Sequence, residues 1–259
     1  MEAVRLVVLD GVARLTFDRP EALNAIDVAT AECLLAQCKA LQERNDVRVV
    51  VLSGSGRAFM AGGDLAAFRA SPAPAALASA IIRPLNAALE ILSGLPLPVI
   101  GSVHGAVAGA GFSLAIGCDL TLAADDARFC LAYLGIATTI DGGGSWHLVR
   151  QVGLQRAMDL AYTNRSISAE EAAAIGLVAR VVAAERLQEE TEALAARLAA
   201  GPTFALGGVK RLLREAGRRD YTSQLAAEHD QFCACAARED FREGVEAFFE
   251  RRRPLFSGR

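Results

Sequence analysis

Two short runs rich in Val and Leu, Val4–Leu9 and Val12–Phe17, flank Asp10-Gly11, and this arrangement predicts a β-hairpin. A loop over residues 18–25 follows. Asp27 then stands where it can cap an amphipathic helix reaching about Arg44. Residues 47–52 are almost continuously apolar, the pattern of a strand buried on both faces. Ser53-Gly54-Ser55-Gly56 turns the chain, and residues 59–65 form a second irregular loop that enters a helix. Residues 75–92 predict a helix, broken or kinked near Pro84 and stopped by Pro96 and Pro98. Another buried strand is expected at 98–103, a short buried helix at 109–117, and strands at Leu120–Ala124 and 128–131. Beyond Gly142 the strand signal nearly ends, with 178–182 the one late strand. Helices are expected near 143–152, 154–162, 168–175, 184–199, 203–216, 221–237 and 240–252. The pattern predicts an α/β core over residues 1–190 and a helical region over 191–259.

Composition narrows the class of protein. The chain has 259 residues, long enough to bury a substantial core, and is 53% hydrophobic and 22% charged. A formal charge of −3 provides no basic field for nucleic acid, so no nucleic-acid partner is expected. No apolar run was expected to reach the length of a membrane span, and the opening strand pattern argues against a secretory signal. The six cysteines (33, 38, 118, 130, 233 and 235) lack metal-ligand spacing and nearby pairs of His. They read as reduced thiols of a cytoplasmic protein with no metal.

The candidate chemistry centres on Asp141, the sole carboxylate between Asp126 and Asp159. Among Leu134, Ile136, Ile140 and Trp146 its charge should be costly to desolvate and its pKa raised, which suits a proton-transfer group. A glycine-rich turn, Gly105-Ala106-Val107-Ala108-Gly109-Ala110-Gly111, lies thirty residues upstream. Such a turn can present backbone N–H groups to a developing oxyanion. An Asp ahead of three glycines also suits a helix cap or a turn.

Taken in order, Arg19-Pro20-x-x-Leu23-Asn24-Ala25, Gly56-Arg57-Ala58-Phe59-x-Ala61-Gly62-Gly63-Asp64-Leu65, Pro98-Val99-Ile100-x-x-Val103-x-Gly105-x-x-x-Gly109-Ala110-Gly111 and Cys118-Asp119 resemble the enoyl-CoA hydratase/isomerase (crotonase) superfamily. The closing Phe241-Arg242-Glu243-Gly244-Val245-x-Ala247-Phe248 and Arg251-Arg252-Arg253-Pro254-x-Phe256 extend the resemblance over essentially the whole chain. It implies a spiral of ββα turns, a helical C-terminal trimerisation region and acyl-CoA thioester substrates, with no cofactor beyond the CoA that the substrate carries. It also implies a homotrimer or a dimer of trimers. By position, the N–H groups of Gly63 and Ala110 would hold the thioester oxygen as an enolate forms. Ala22, Leu23, Ala25 and Ala61 would line the CoA moiety. Arg253 and Phe256 would meet its phosphate and adenine, in some members across a subunit boundary.

Departures from the hydratase pattern direct the expected chemistry. Hydratases of this family use two Glu, and the matching positions here hold Ser113 and Tyr133. The remaining acid, Asp141, resembles the catalytic Asp of isomerase branches. The run Ile136-x-x-x-x-Asp141-x-Gly143-Gly144-x-Trp146 is most similar to the phenylacetate-pathway ring-epoxide isomerases. The expectation is therefore an acyl-CoA isomerase with Asp141 as proton shuttle. A weakly active hydratase and a non-catalytic acyl-CoA-binding homologue are the alternatives. Ser113, Tyr133 and Trp146 are candidate walls of the acyl pocket, though each also suits a plain core position. Asp64, Asp119 and His104 read as structural.

Overall fold

The computed structural model describes residues 2–258. Strands β1 (Val4–Leu9) and β2 (Val12–Phe17) form the expected hairpin, with Asp10 and Gly11 at φ 51° and 75° in its turn. Asp27 caps α1 (Val28–Gln42) by accepting from the Thr30 N–H at 2.8 Å. There follow β3 (Val49–Gly54), α2 (Leu65–Ala70), α3 (Pro74–Gly94), β4 (Val99–Val103), β5 (Ala106–Ala108), α4 (Ala110–Gly117), β6 (Leu120–Ala124) and β7 (Arg128–Cys130). The chain continues through α5 (Gly144–Val152), α6 (Leu154–Thr163), β8 (Ile167–Ser168), α7 (Ala169–Ala174), β9 (Arg180–Val182) and α8 (Leu187–Ala199). It ends in α9 (Thr203–Glu215), α10 (Tyr221–Ala236) and α11 (Glu239–Glu250).

The strands form two sheets, a six-stranded one in the order β1-β2-β3-β4-β6-β9 and a three-stranded one in the order β5-β7-β8. After the hairpin, the large sheet is parallel throughout. Successive units β4-β5-α4 and β6-β7-α5 each place one strand in each sheet before a helix, which makes the expected spiral. Its main core joins Leu15, Phe17, Leu34, Leu52, Phe59, Phe112 and Phe129. A second cluster on the other face of the large sheet packs Leu187, Leu194 and Ala195 of α8 against Val49, Val51, Ile100 and Leu122.

Several expectations need correction. Helix α3 runs unbroken through Pro84. It is also long and apolar enough to cross a bilayer, with a mean hydropathy of 1.4 in its most apolar window, contrary to the expectation that no run would be. Its buried residues Ile81, Leu85, Ala88 and Leu92 lie on one stripe, the periodicity of a helix packed on one side. Strands β5 and β8 escaped the pattern because three and two residues are too few to show a period. The division expected at residue 190 falls inside α8, which covers the sheet, so the change in packing comes after Ala199.

Helix α9 is clamped to the core through Asp119, and Lys210 also donates to the Leu92 and Leu97 carbonyls. Asp119 accepts from the Val99 N–H at 2.8 Å and pairs with Lys210 at 2.9 Å and Arg214 at 2.6 Å. Beyond this clamp, α9, α10 and α11 leave large apolar side chains in the open, among them Leu213, Tyr221, Phe232, Phe248 and Phe249.

Candidate active site

Two irregular segments cross where β3 and β4 end. The Ile26 N–H donates to Gly62 O at 2.8 Å and the Asp64 N–H to Ile26 O at 2.9 Å, fixing the loop on both sides of Gly63. Met60, just before this loop, pairs with β5: its N–H donates to Ala106 O, and Ala108 donates back to Met60 O. Gly109 follows at φ 53°, and a Cβ there would lie 3.2 Å from Gly62 Cα. A side chain at 109 would therefore be strained by backbone angle and would push the two loops apart. This crossing brings the residue after Gly62 near the residue after Gly109. Among the described residues neither the Gly63 N–H nor the Ala110 N–H has an internal acceptor. Ala110 opens α4, whose N-terminal dipole favours an anion. The two N–H groups are fixed, unspent donors, the arrangement that an anion-binding site requires.

The acid sits one helical turn away. Ser113 of α4 is 1% exposed and donates through Oγ to the Asp141 carbonyl at 2.8 Å. Three helical residues rise by about 5 Å, so Asp141 is held beside the first turn that Ala110 begins. The glycines after Asp141 allow this approach, since a Cβ on Gly144 would come 2.3 Å from Ser113 Oγ. Tyr133, 8% exposed, opens a short 3₁₀ turn and donates its hydroxyl to Asp141 Oδ1 at 2.6 Å. Burial raises the pKa of Asp141 and the Tyr133 hydrogen bond opposes the rise. The direction and its cause match expectation. Of the apolar neighbours expected around the acid, Leu134 and Ile136 are 49% and 52% exposed in the isolated chain.

The CoA-loop candidates are ordered around Asn24, a residue that the sequence reading quoted without assigning it a role. Asn24 is buried with φ 57° and donates to Ser55 O at 2.9 Å and Ala58 O at 2.8 Å. The Ala61 N–H donates to Leu23 O at 3.0 Å, so Ala22, Leu23 and Ala61 adjoin and Ala25 turns into the core. Arg19 was likewise missed. It donates to Ala25 O at 2.7 Å and pairs with Asp27 at 3.0 Å and Asp64 at 3.2 Å. It thereby ties the caps of α1 and α2 to the loop carrying Gly63. The only signal in the sequence was the motif itself, because the three partners lie 6, 8 and 45 residues away.

Other candidates lie elsewhere. Phe256 O accepts from Arg48 at 3.4 Å, just before β3, whereas the Asn24 knot meets Ser55, just after it. The six residues of β3 span about 20 Å, so within one chain Phe256 is at the wrong end of the strand for the CoA loop. Arg253 is exposed in the same tail, which folds back onto Glu243 through Arg252 and the Leu255 N–H. Trp146 lies against the Arg150 guanidinium at 3.9 Å and borders a cavity of about 670 Å³ between α3, α4, α5 and α9. That cavity reaches Ser113 and Gly142 but not Tyr133 or Asp141, so Trp146 faces the back of the site. His147 shares it, with a pKa pushed down to about 4 by burial and then by Arg214 and Arg150, which keeps it neutral. Asp64 and Asp119 hold turns and caps, and His104 bonds Gly56 O, as expected of structural residues. Among the described residues no group of three or more His, Cys, Asp or Glu could hold a metal ion.

Comparison with known proteins agrees with this architecture. A family model described as enoyl-CoA hydratase/isomerase matches residues 8–259. A probable enoyl-CoA hydratase of Rhodobacter capsulatus is 39% identical over 256 residues, covering 99% of this chain and 98% of the relative. The 1,2-epoxyphenylacetyl-CoA isomerase of Escherichia coli is 38% identical over 262 residues, covering 100% of each. Among solved structures, a putative enoyl-CoA hydratase of Thermobifida fusca, in complex with CoA, matches with a TM-score of 0.84 at 34% identity, over 91% of this chain and 93% of that one. The chain therefore belongs to the enoyl-CoA hydratase/isomerase family and has the crotonase fold.

Proposed function

We propose that this member of the family is an acyl-CoA isomerase that moves a double bond, or rearranges a ring-activated acyl group, through an enolate. The observation that carries the proposal is the Ser113-Tyr133-Asp141 cluster: one carboxylate accepts from the Tyr133 hydroxyl, its backbone is held by Ser113 to the helix that Ala110 opens, and hydroxyls stand at both positions where the resemblance puts the hydratase Glu. Asp141 removes a proton from the acyl chain, the Gly63 and Ala110 N–H groups hold the enolate oxygen, and the carboxylate returns the proton at the far end of the allylic system. A 1,3-transfer needs one group, because the proton taken is the proton delivered. Water addition needs a second acid–base group, and neither hydroxyl supplies a carboxylate. The name of the Escherichia coli relative supports an isomerase. That of the Rhodobacter relative keeps a hydratase as the competing reading.

The CoA moiety in this proposal lies along Ala22, Leu23, Ala25 and Ala61, and no other cofactor takes part. The apolar faces of α9 to α11 fit a homotrimer or a dimer of trimers, in which Arg253 and Phe256 serve a neighbouring subunit's CoA rather than their own. The six free thiols fit a reducing, cytoplasmic setting. The deciding experiment compares isomerisation of a 3-enoyl-CoA with hydration of crotonyl-CoA by the purified protein. Isomerisation faster by orders of magnitude supports the reading, and hydration at a comparable rate defeats it.

A further inference from the structure

Hydrogen-bond bookkeeping around Asp141 leaves one hydrogen with two acceptors. Ser113 Oγ spends its single hydrogen on the Asp141 carbonyl at 2.8 Å. The contact of 3.1 Å between Ser113 Oγ and the Tyr133 hydroxyl therefore has Tyr133 as its only available donor. Yet the Tyr133 hydroxyl also lies 2.6 Å from Asp141 Oδ1, a shorter and charge-assisted bond. Both hydroxyl-bearing side chains are buried, and among the described residues the one further donor acting on them and on the carboxylate is the Asp141 backbone N–H, whose hydrogen cannot swing between acceptors.

We propose that Tyr133 is the positioning residue of this site: its hydroxyl hydrogen rests on Asp141 Oδ1 while the carboxylate is charged and turns to Ser113 Oγ while Asp141 carries the substrate's proton. The proposal rests on the isomerase reading above and adds how one buried acid serves both halves of the transfer. In the first half, the C–H bond breaks, its proton goes to Asp141 Oδ2, its electron pair forms the C=C bond to the thioester carbon, and the carbonyl π pair moves onto the enolate oxygen. Among the described residues no side chain donates to Oδ2, which leaves that oxygen to meet the substrate. In the second half the Oδ2–H bond breaks, the enolate's electron pair takes the proton at the distal carbon, and the charge returns to Asp141. The Tyr133 proton stays on its own oxygen throughout. Burial and the neighbouring Asp141 charge push the phenol well above its usual range, so it donates without becoming a competing acid.

The other side chains near this cluster do not offer the same service. Ile140 is apolar, and His147, one turn into α5, faces Gly117 and Gly143. No charged group contributes to the shift of Asp141.

The two hydroxyls carry opposite signatures. Tyr133→Phe keeps the ring but removes the bond that favours the charged acid, so Asp141 should titrate higher by about one to two units. Ser113→Ala removes the resting place of the Tyr133 hydrogen in the protonated state, so Asp141 should titrate lower. The test is a carbon-13 carboxyl NMR titration of the full-length protein, with the Asp141 signal assigned by its loss in Asp141→Asn. It is run on the wild type and both hydroxyl variants. A parallel kcat profile for 3-enoyl-CoA should show the Tyr133→Phe acidic limb moved alkaline by the same amount, which is a fall of roughly tenfold to a hundredfold at pH values below both limbs, with KM nearly unchanged. An unmoved Asp141 titration in Tyr133→Phe overturns the proposal, as do shifts of the same sign in the two variants. The titration needs no substrate. A wild type that isomerises nothing therefore defeats the functional reading alone, whereas an active isomerase with an unmoved Tyr133→Phe titration defeats this inference alone.

Discussion

Burial makes the charge of Asp141 costly to the folded chain. Its folded-state pKa lies above the unfolded value of about 3.9, so the stability it contributes is fully present below that value. It is lost as pH rises through the folded value, and at neutral pH the buried charge is a cost. Asp141→Asn should therefore melt higher than the wild type at pH 7–8, and thermal scans should show the advantage shrinking towards pH 4. The same variant keeps the size of the side chain but cannot take a proton. Its kcat on a 3-enoyl-CoA should fall roughly a hundredfold or more with KM nearly unchanged. Wild-type turnover in Asp141→Asn would reduce the residue to a turn former. In the wild type, activity should fall as pH drops through the raised pKa, because the base form is the working form.

At the level of elements, two small polar hubs hold the site and the tail in place. Arg19 bonds the Ala25 carbonyl and pairs with the acids that cap α1 and α2, so it braces the loop bearing Gly63 from behind. Arg19→Ala should lower kcat about tenfold and raise KM for CoA esters, because a misplaced oxyanion donor weakens transition-state binding. Steady-state kinetics on a folded variant checks it, and unchanged constants would show that the loop holds itself. The second hub is Asp119 with Lys210 and Arg214. The Lys210 side chain is 7% exposed, and burial pulls its pKa down against the pull of Asp119. Asp119→Ala leaves a buried cation without its partner, so urea unfolding should show a loss of about 3–5 kcal/mol. Its active-site titration should be little altered, because the clamp serves α9 and not Asp141.

At the scale of the whole molecule, the last three helices leave a broad apolar surface uncovered in the single chain. Phe248 and Phe249 are 78% and 79% exposed, and Tyr221 is 79% exposed on the neighbouring helix, more bare aromatic surface than a monomer commonly leaves in water. Sedimentation should find a trimer or a hexamer at micromolar concentration, and Phe248→Glu with Phe249→Glu should shift it towards monomer. The tail predicts a second effect. Because Phe256 lies at the far end of β3 from its own CoA loop, dissociation should weaken CoA-ester binding while leaving the Asp141 titration unchanged. A stable wild-type monomer with full activity would contradict both expectations.

Periodicity alone revealed the hairpin, the apolar strands and most helices, because each spans enough residues for one face to repeat. It read β5 as part of a glycine-rich turn and began a helix at Ser168 of β8, since two or three residues carry no period. It also expected a break or a kink in α3 near Pro84, and the helix continues through it. Spacing made Gly63, Ala110 and Asp141 candidates, as the glycines around them mark backbone that must turn sharply or approach closely. Tertiary structure alone decided their partners: that Tyr133 bonds Asp141, that Ser113 holds its carbonyl, and that Trp146 turns to the other side. It also decided that Leu134 and Ile136, near Asp141 in sequence, stay half exposed in the isolated chain, and that Arg19 and Asn24 tie down the loop that begins at residue 19. The physical reason is that apolar periodicity is a property of neighbouring residues. Hydrogen-bond satisfaction and desolvation are set by residues 8 to 45 positions away, which only the folded chain brings into contact.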